Sequence, residues 1–139
     1  MDKKVVLATG VFDIMHLGHL NYLTYARSFG DFLIVHIESD QAVRRHKGAG
    51  RPINSEQERQ TLVQGLRVVD QTFIADGEFE TAKILSKYRP DILVIAKKAD
   101  FDIESKEQNY KAVLPNLKII WFDKQSDHST SRIVKKFLL

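Results

Sequence analysis

Two histidines, His16 and His19, lie three residues apart at the start of a predicted helix that follows an apolar strand. At this spacing both rings can point at a ligand bound to the first helical turn. A helix N-terminus also leaves backbone N–H groups unpaired and carries partial positive charge, which attracts phosphate. Gly10 lets the backbone approach a ligand, and Gly18 removes a side chain between the two rings. The stretch therefore predicts an anion-binding turn.

The histidine pair by itself allows two other interpretations. It could form half of a zinc site, although the chain has no cysteine and no third ligand stands at a matching spacing. The two rings could also be unrelated surface histidines. From the pair alone, all three interpretations stay open.

The stretch around the pair resembles the signature of the HxGH nucleotidyltransferases, which include cytidylyltransferases and heptose-phosphate adenylyltransferases. The pattern is Thr-Gly-x-Phe-Asp-x-x-His-x-Gly-His over residues 9–19. The resemblance implies that His16 and His19 are catalytic and donate to the phosphates of a nucleoside triphosphate. It assigns nucleotide binding to Thr9, Gly10, Phe12 and Gly18. Asp13 becomes a candidate either to face the metal or to orient the site, as does Asp40 further along the chain.

A basic loop follows the second predicted strand. Residues 44–51 contain four Lys or Arg and two glycines. A solvated, mobile loop is the plain interpretation, but at this edge of a sheet the loop can fold over a triphosphate, with its cations as a clamp. The block from Ser39 to Ile53 resembles the adenylyltransferase domain of bacterial heptose-phosphate enzymes, and Lys47 is predicted to contact phosphate. Asp40 is either a second metal ligand or only the N-cap of the next helix.

Two further segments match the family in order. Arg59 and the turn from Gly65 to Asp70 resemble a motif that lies near the nucleotide and the dimer interface, so Arg59 and Arg67 are predicted nucleotide contacts. Arg67 and Asp70 could equally form a salt bridge at a helix end. The family has three hydroxyl residues that contact the triphosphate where this chain has Ser129, Thr130 and Ser131, although Ser and Thr also cap helices.

One segment departs from the family. After the fourth predicted strand the relatives carry a glycine-rich or acidic turn, whereas residues 96–101 read Ala-Lys-Lys-Ala-Asp-Phe. In the family this turn lies near the base and the acceptor, and Phe101 is a candidate to stack on the base. Because the longest continuous match is to the adenylyl branch, the sequence favours ATP over CTP.

The positioning elements follow from alternating apolar runs and helical patterns. Strands are predicted from Val5 to Thr9 and over 31–37, 68–75, 91–96 and 117–122, and helices over 40–45, 56–66, 79–88, 104–113 and 130–137. A first helix is predicted up to Gly30, because Leu20, Leu23 and Ala26 or Arg27 recur at helical spacing. Five strands each followed by a helix indicate an α/β, Rossmann-like, five-stranded parallel sheet with helices on both faces, in one domain over 1–139. Ligands bind such sheets beyond the carboxyl ends of the strands.

Composition excludes several classes of function. With 43% hydrophobic and 28% charged residues the chain is of an ordinary soluble type. The lack of cysteine excludes disulfides, a thiolate nucleophile and a Cys-ligated metal. A net charge of +3 is too small to indicate nucleic acid binding. With no signal pattern and no apolar run near 18 residues, we expect a cytoplasmic protein with no membrane partner.

The expected function is transfer of a nucleoside monophosphate from a nucleoside triphosphate to a small phosphorylated sugar, polyol or amino alcohol. Mg²⁺ is the expected cofactor because it bridges phosphates in such transfers, and the resemblance implies a homodimer. Two alternatives stay open: adenylyl transfer to a mononucleotide such as FMN, NMN or phosphopantetheine, and a nucleotide-binding regulator without catalysis.

Overall fold

The computed structural model describes residues 3–123, without the side chains of residues 78 and 79. Strands and helices alternate along it: β1 Val5–Gly10, α1 Leu17–Arg27, β2 Phe32–Glu38, α2 Asp40–Lys47, α3 Glu56–Gln64, β3 Gln71–Ala75, α4 Gly77–Tyr88, β4 Ile92–Ala96, α5 Ile103–Val113 and β5 Lys118–Phe122. The strands form one parallel sheet in the order β3-β2-β1-β4-β5. The predicted α/β class and parallel sheet are confirmed.

Each face of the sheet has its own apolar core. On one face, residues such as Val6 and Val35 pack with Leu23 of α1 and Val63 of α3. On the other face, residues such as Leu7 and Leu93 pack with side chains from α4 and α5, among them Leu85 and Leu114. The prediction of helices on both faces is therefore confirmed.

The chain reverses its direction of travel across the sheet between β1 and β4. β2 and β3 lie on one side of β1, and β4 and β5 lie on the other. The helix after β1 and the helix before β4 pack on opposite faces, and in open α/β sheets the ligand crevice lies beyond the carboxyl ends of two such strands. We call the sheet edge at those ends the carboxyl edge. Both predicted histidines follow β1 there.

Most predicted boundaries agree with the structure to within one or two residues, and three expectations need comment. Leu20 is exposed, and Tyr22 is buried with Leu23 and Ala26 instead. The third strand begins at Gln71 and not at residue 68, because the Asp70 carboxylate accepts the Leu33 N–H and ends the ladder. The helix predicted over 130–137 lies outside the described residues. No helix in the described part is long and apolar enough to span a bilayer.

Candidate active site at the carboxyl edge

The two histidines cap the helix that carries them. His16 is the N-cap of α1, with extended backbone angles, and its Nδ1 accepts the backbone N–H of Gly18 at 3.1 Å. His19 Nδ1 accepts the backbone N–H of His16 at 3.2 Å. The pair thus forms a reciprocal capping box built from two imidazoles. Gly18 supplies a backbone donor within this box.

The capping bonds fix which ring nitrogen carries the proton. A nitrogen that accepts an N–H must be unprotonated, so each neutral ring carries its hydrogen on Nε2. The rings are stacked with centroids 3.8 Å apart, and both residues are half-buried. Two Nε2–H donors therefore lie side by side at a helix N-terminus, as phosphate binding requires.

The turn before α1 has strained backbone angles and packs on the buried Phe12 ring. Phe12 and Ile14 have φ angles of 57° and 47°, in the left-handed region that such side chains rarely adopt. The Phe12 ring is 2% exposed and lies 5.5 Å from the His19 ring. A side chain at Gly10 would meet the Phe12 ring at 2.9 Å. Gly10 therefore leaves room for the Phe12 ring, and the buried Phe12 side chain supports the turn from the core.

Asp13 holds the loop that follows α2. Its side chain is buried, and its two oxygens accept the backbone N–H groups of Ile53 at 2.7 Å and Asn54 at 2.9 Å. Arg51 Nε lies 3.6 Å from the same carboxylate. This geometry fits the alternative that Asp13 orients the site, because the carboxylate ties the far end of the basic loop to the histidine turn.

Arg59, a predicted nucleotide contact, is enclosed by the protein itself. Its side chain is fully buried, and its guanidinium donates to the carbonyls of Asn54, Val11 and Glu38 at 2.7–3.0 Å. It also donates to Asp40 Oδ1 at 2.8 Å. The predicted nucleotide contact is thus a positioning group, and Asp40, a predicted metal ligand, is its partner. Buried arginine is stable only with such pairing.

The basic loop begins where expected. α2 starts directly after β2 at the carboxyl edge, and Lys47 is its last residue and is exposed. Gly48 and Gly50 have φ angles of 86° and 87°, which favour glycine, and no atom lies within 4 Å of a Cβ built at either. Arg45 forms an ion pair with Asp76 before α4. The loop is therefore anchored at both ends and open at its tip.

Arg67 lies at the wrong edge for the predicted role. It is exposed in the turn that precedes β3, at the amino end of the sheet, while the histidines lie at the carboxyl edge. The alternative of a salt bridge with Asp70 is not observed either, because Asp70 pairs with Arg27 at 3.5 Å.

The divergent turn after β4 is built around Phe101. Its ring packs in the core below α4 and α5, edge-on to Trp121 with centroids 6.1 Å apart. The ammonium groups of Lys98 and Lys106 lie 5.5 and 4.7 Å from the ring centroid. Stacking on a base would require Phe101 to leave these contacts. Lys97 and Lys98 nevertheless place positive charge at the carboxyl edge.

A buried histidine that the motifs did not indicate lies beside the predicted site. His36 is 3% exposed, and its Nδ1 lies 2.9 Å from Thr9 Oγ1. Its Nε2 lies 2.8 Å from the Ala75 carbonyl oxygen. Burial lowers the pKa of His36, against the opposing effect of that carbonyl and of nearby carboxylates. The signal in the sequence is one polar residue in the apolar run Leu-Ile-Val-His-Ile.

The Mg²⁺ expected from the sequence stays a prediction. Within residues 3–123 no three His, Asp or Glu side chains converge as metal ligands. Both Asp13 oxygens accept backbone N–H groups, and Asp40 Oδ1 accepts a hydrogen bond from Arg59. Three other predicted site residues, Ser129, Thr130 and Ser131, lie outside the described range.

Known proteins are similar in sequence to this chain over nearly its whole length. A family model described as cytidylyltransferase-like matches residues 7–136. The bifunctional protein HldE of Campylobacter curvus is 45% identical over 135 residues, and that of Pseudomonas paraeruginosa is 40% identical over 136 residues. These alignments cover 97% and 96% of this chain. They cover only 27% and 28% of the relatives, so the chain spans about a quarter of their length.

Solved structures show the same fold. A lipopolysaccharide core biosynthesis protein from Thermoplasma volcanium superposes with a TM-score of 0.81 at 31% identity, covering 90% of this chain and 100% of that one. A pantoate-β-alanine ligase from Francisella tularensis superposes with a TM-score of 0.70 at 18% identity, covering 96% of this chain and 65% of that one. The second likeness is one of fold alone.

Proposed function

The chain belongs to the cytidylyltransferase-like family, and from that premise we propose that it transfers a nucleoside monophosphate from a nucleoside triphosphate to a small phosphorylated acceptor. The observation that carries the proposal is the histidine capping box, which aims two Nε2–H donors from one helix N-terminus. Such a cluster of donors suits the α- and β-phosphates of a nucleotide.

The reaction needs electrostatics more than acid–base chemistry. An acceptor phosphate monoester is largely dianionic at neutral pH, so it is a competent nucleophile without a general base. One of its oxygens forms a bond to the α-phosphorus, the bond from that phosphorus to the bridging oxygen breaks, and pyrophosphate leaves with the electron pair. His16 and His19 neutralise charge on the phosphate oxygens, and Lys47 holds the triphosphate when the loop closes. The triphosphate is proposed to enter as its Mg²⁺ complex, without a metal ligand from the described carboxylates.

A sugar phosphate is the proposed acceptor. The support is the 31% identity to a lipopolysaccharide core biosynthesis protein over its full length, together with the HldE relatives. The resemblance of residues 39–53 to heptose-phosphate adenylyltransferases points in the same direction and favours ATP. The reaction proposed for this chain is therefore adenylyl transfer to a heptose-type sugar phosphate.

Pyrophosphate release tests the proposal directly. We expect release with ATP and a sugar 1-phosphate, and little release with ATP alone or with FMN, NMN or phosphopantetheine. Release only with a mononucleotide would favour the alternative enzyme. Tight nucleotide binding without release for any acceptor would favour a regulator. A binding titration in which CTP is tighter than ATP by tenfold, about 1.4 kcal/mol, would overturn the choice of base alone.

The homodimer that the resemblance implies is part of the proposal. Leu17 and Leu20 on α1 and Leu62 on α3 are exposed apolar side chains, which suits burial against a second copy. Sedimentation equilibrium of the whole chain checks this. A monomer at micromolar concentration would remove the dimer from the proposal and leave the reaction in place.

A further inference from the structure

The link between His36 and Thr9 lies at the crevice but has no part in the reaction described above. Thr9 stands near the end of β1, at the point where the sheet reverses, and is half-buried. Its side chain lies on the sheet face covered by α4 and α5, since it bonds to His36 on that face. The histidine capping box lies on α1, which covers the opposite face. Thr9 therefore borders the crevice from the side away from the phosphate donors.

The Ala75 carbonyl decides the direction of every bond in this link. A carbonyl oxygen only accepts, so the 2.8 Å contact requires His36 to carry its hydrogen on Nε2. In the neutral ring Nδ1 is then an acceptor. The Thr9 hydroxyl at 2.9 Å must donate its only hydrogen to it. Two lone pairs and no hydrogen are left on Thr9 Oγ1.

The packing around His36 holds this arrangement in place. The imidazole stacks on Phe73, with centroids 5.2 Å apart, and Phe73 stacks on Tyr88 at 4.2 Å. A Cβ at Gly77 would lie 2.5 Å from the imidazole Cε1, so the first turn of α4 closes directly over the ring. The ring cannot turn over without losing both hydrogen bonds. Thr9 is thus held as a hydrogen-bond acceptor.

We propose that Thr9 Oγ1, oriented by His36, accepts a hydrogen bond from a hydroxyl group of a bound ligand and so selects hydroxyl-bearing ligands at the crevice. Phosphate oxygens have no hydrogen to give at neutral pH and are disfavoured at this atom. The donor is a sugar or polyol hydroxyl of the acceptor, or a ribose hydroxyl of the nucleotide. This inference rests on the proposed function, because it names the substrate class that the same site takes.

Two pairs of variants test the inference. Thr9→Val removes the oxygen with little change of shape, and Thr9→Ser keeps it. His36→Asn places an oxygen near the position of Nδ1 and keeps an acceptor for Thr9, whereas His36→Gln places its amide near Nε2 and leaves Thr9 without that acceptor. Thr72→Val is the matched control, since Thr72 is a strand threonine whose hydroxyl bonds to Gln64 away from the crevice.

Calorimetric titration gives the readout without turnover. The probes are ATP against 2′-deoxy- and 3′-deoxy-ATP, and mannose 1-phosphate against its monodeoxy analogues. We expect the wild-type chain to prefer one hydroxyl-bearing ligand over one deoxy analogue by about 3- to 10-fold, which is the effect of one neutral hydrogen bond. Thr9→Val and His36→Gln should lose this preference, and Thr9→Ser, His36→Asn and Thr72→Val should keep it. If the variants lose the preference between ATP and a deoxy-ATP, the hydroxyl belongs to the ribose. If they lose the preference between mannose 1-phosphate and a deoxy analogue, the hydroxyl belongs to the acceptor.

Equal preference in Thr9→Val and the wild-type chain for every probe would overturn the inference. So would ¹⁵N NMR spectra of the His36 ring with the hydrogen on Nδ1. Neither result depends on pyrophosphate release. Failure of the proposed reaction would appear separately, as the lack of release with every triphosphate.

Discussion

Arg59 Nη2 donates to Asp40 Oδ1 at 2.8 Å, and this bond joins the buried guanidinium of α3 to the first residue of α2. The same guanidinium binds the carbonyls of Val11 and Glu38, which follow β1 and end β2 at the carboxyl edge. One side chain therefore connects the histidine turn to the start of the basic loop. Both residues therefore position segments of the carboxyl edge.

Arg59→Met should destabilise the fold strongly. The change leaves three partly buried carbonyls and a carboxylate that is 25% exposed without their partner, at a cost of about 3 kcal/mol in the free energy of unfolding. Urea denaturation measures it. Arg44→Met, at an exposed position of α2, is the control and should change little. A loss below about 1 kcal/mol for Arg59→Met would show that these bonds are not needed for the fold.

His16→Asn and His19→Asn should separate capping from catalysis. An asparagine oxygen near Nδ1 still accepts a capping N–H, but the Nε2–H donor is lost. We expect wild-type stability and a kcat lower by about 10²–10³-fold, as when a donor that acts mainly in the transition state is removed. Steady-state pyrophosphate release measures this, with Asn21→Ala on the exposed side of α1 as control. Undiminished turnover in either histidine variant would remove the central claim.

The sheet was predictable because its signals are local. Continuous apolar runs rich in β-branched residues, such as Ile92 to Ala96, indicate buried parallel strands, and the alternation with helices leaves little freedom in topology. The resemblance at residues 9–19 is confirmed at the level of the family. The start of β3 was not predictable. It depends on the Asp70 carboxylate, which takes the place of a backbone acceptor for Leu33 on another strand.

The site was predictable only in part, because a charged residue near a ligand motif can contact either the ligand or the protein's own backbone. Arg59 is of a residue type that clamps phosphate, and Asp13 is of a type that binds metal. Only the folded chain shows that Arg59 contacts three backbone carbonyls and that Asp13 accepts two backbone N–H groups. Tyr22 is a similar case. Its buried hydroxyl accepts the Thr9 N–H and donates to the Val94 carbonyl, joining β1 to β4.

Asp13→Asn should weaken the fold without changing the response to Mg²⁺. An amide oxygen can accept only one of the two N–H groups, and the amide nitrogen then faces the other, so we expect a loss of about 1–3 kcal/mol in unfolding free energy. Denaturation and a Mg²⁺ titration of activity, both on the same variant, make the measurement. A large rise in the Mg²⁺ concentration needed for half-maximal activity would restore Asp13 as a metal ligand.

Lys47→Ala should weaken triphosphate binding more than monophosphate binding. If the loop folds over the β- and γ-phosphates, its cation contacts groups that AMP lacks. Titrations with ATP and AMP give the comparison, and Lys111→Ala on exposed α5 is the matched control. Hydrogen exchange over residues 48–50 should slow on adding ATP. Equal losses for both nucleotides would make Lys47 an ordinary surface charge.

The stability of the fold should fall in acid because of His36. The unfolded histidine has a pKa near 6.5, and burial lowers its pKa in the folded chain. The unfolded state therefore binds the proton first, so the stabilisation is complete above about pH 6.5 and is lost as pH falls toward the folded pKa. Glu38, Asp76 and Glu80 face the ring and oppose the shift without reversing it.

The test of this acid sensitivity is the free energy of unfolding from pH 8 to pH 5, compared between the wild-type chain and His36→Asn. The comparison subtracts the titration of the neighbouring carboxylates, which both proteins share. We expect the wild-type value to fall relative to the variant by up to about 1.4 kcal/mol per pH unit below pH 6.5. His46→Asn, at an exposed histidine on α2, should run parallel to the wild-type chain. If the curve of His36→Asn also ran parallel to that of the wild-type chain, the folded chain would accept a charged ring at this position. The inference that Thr9 donates its hydrogen to a neutral His36 would then be wrong.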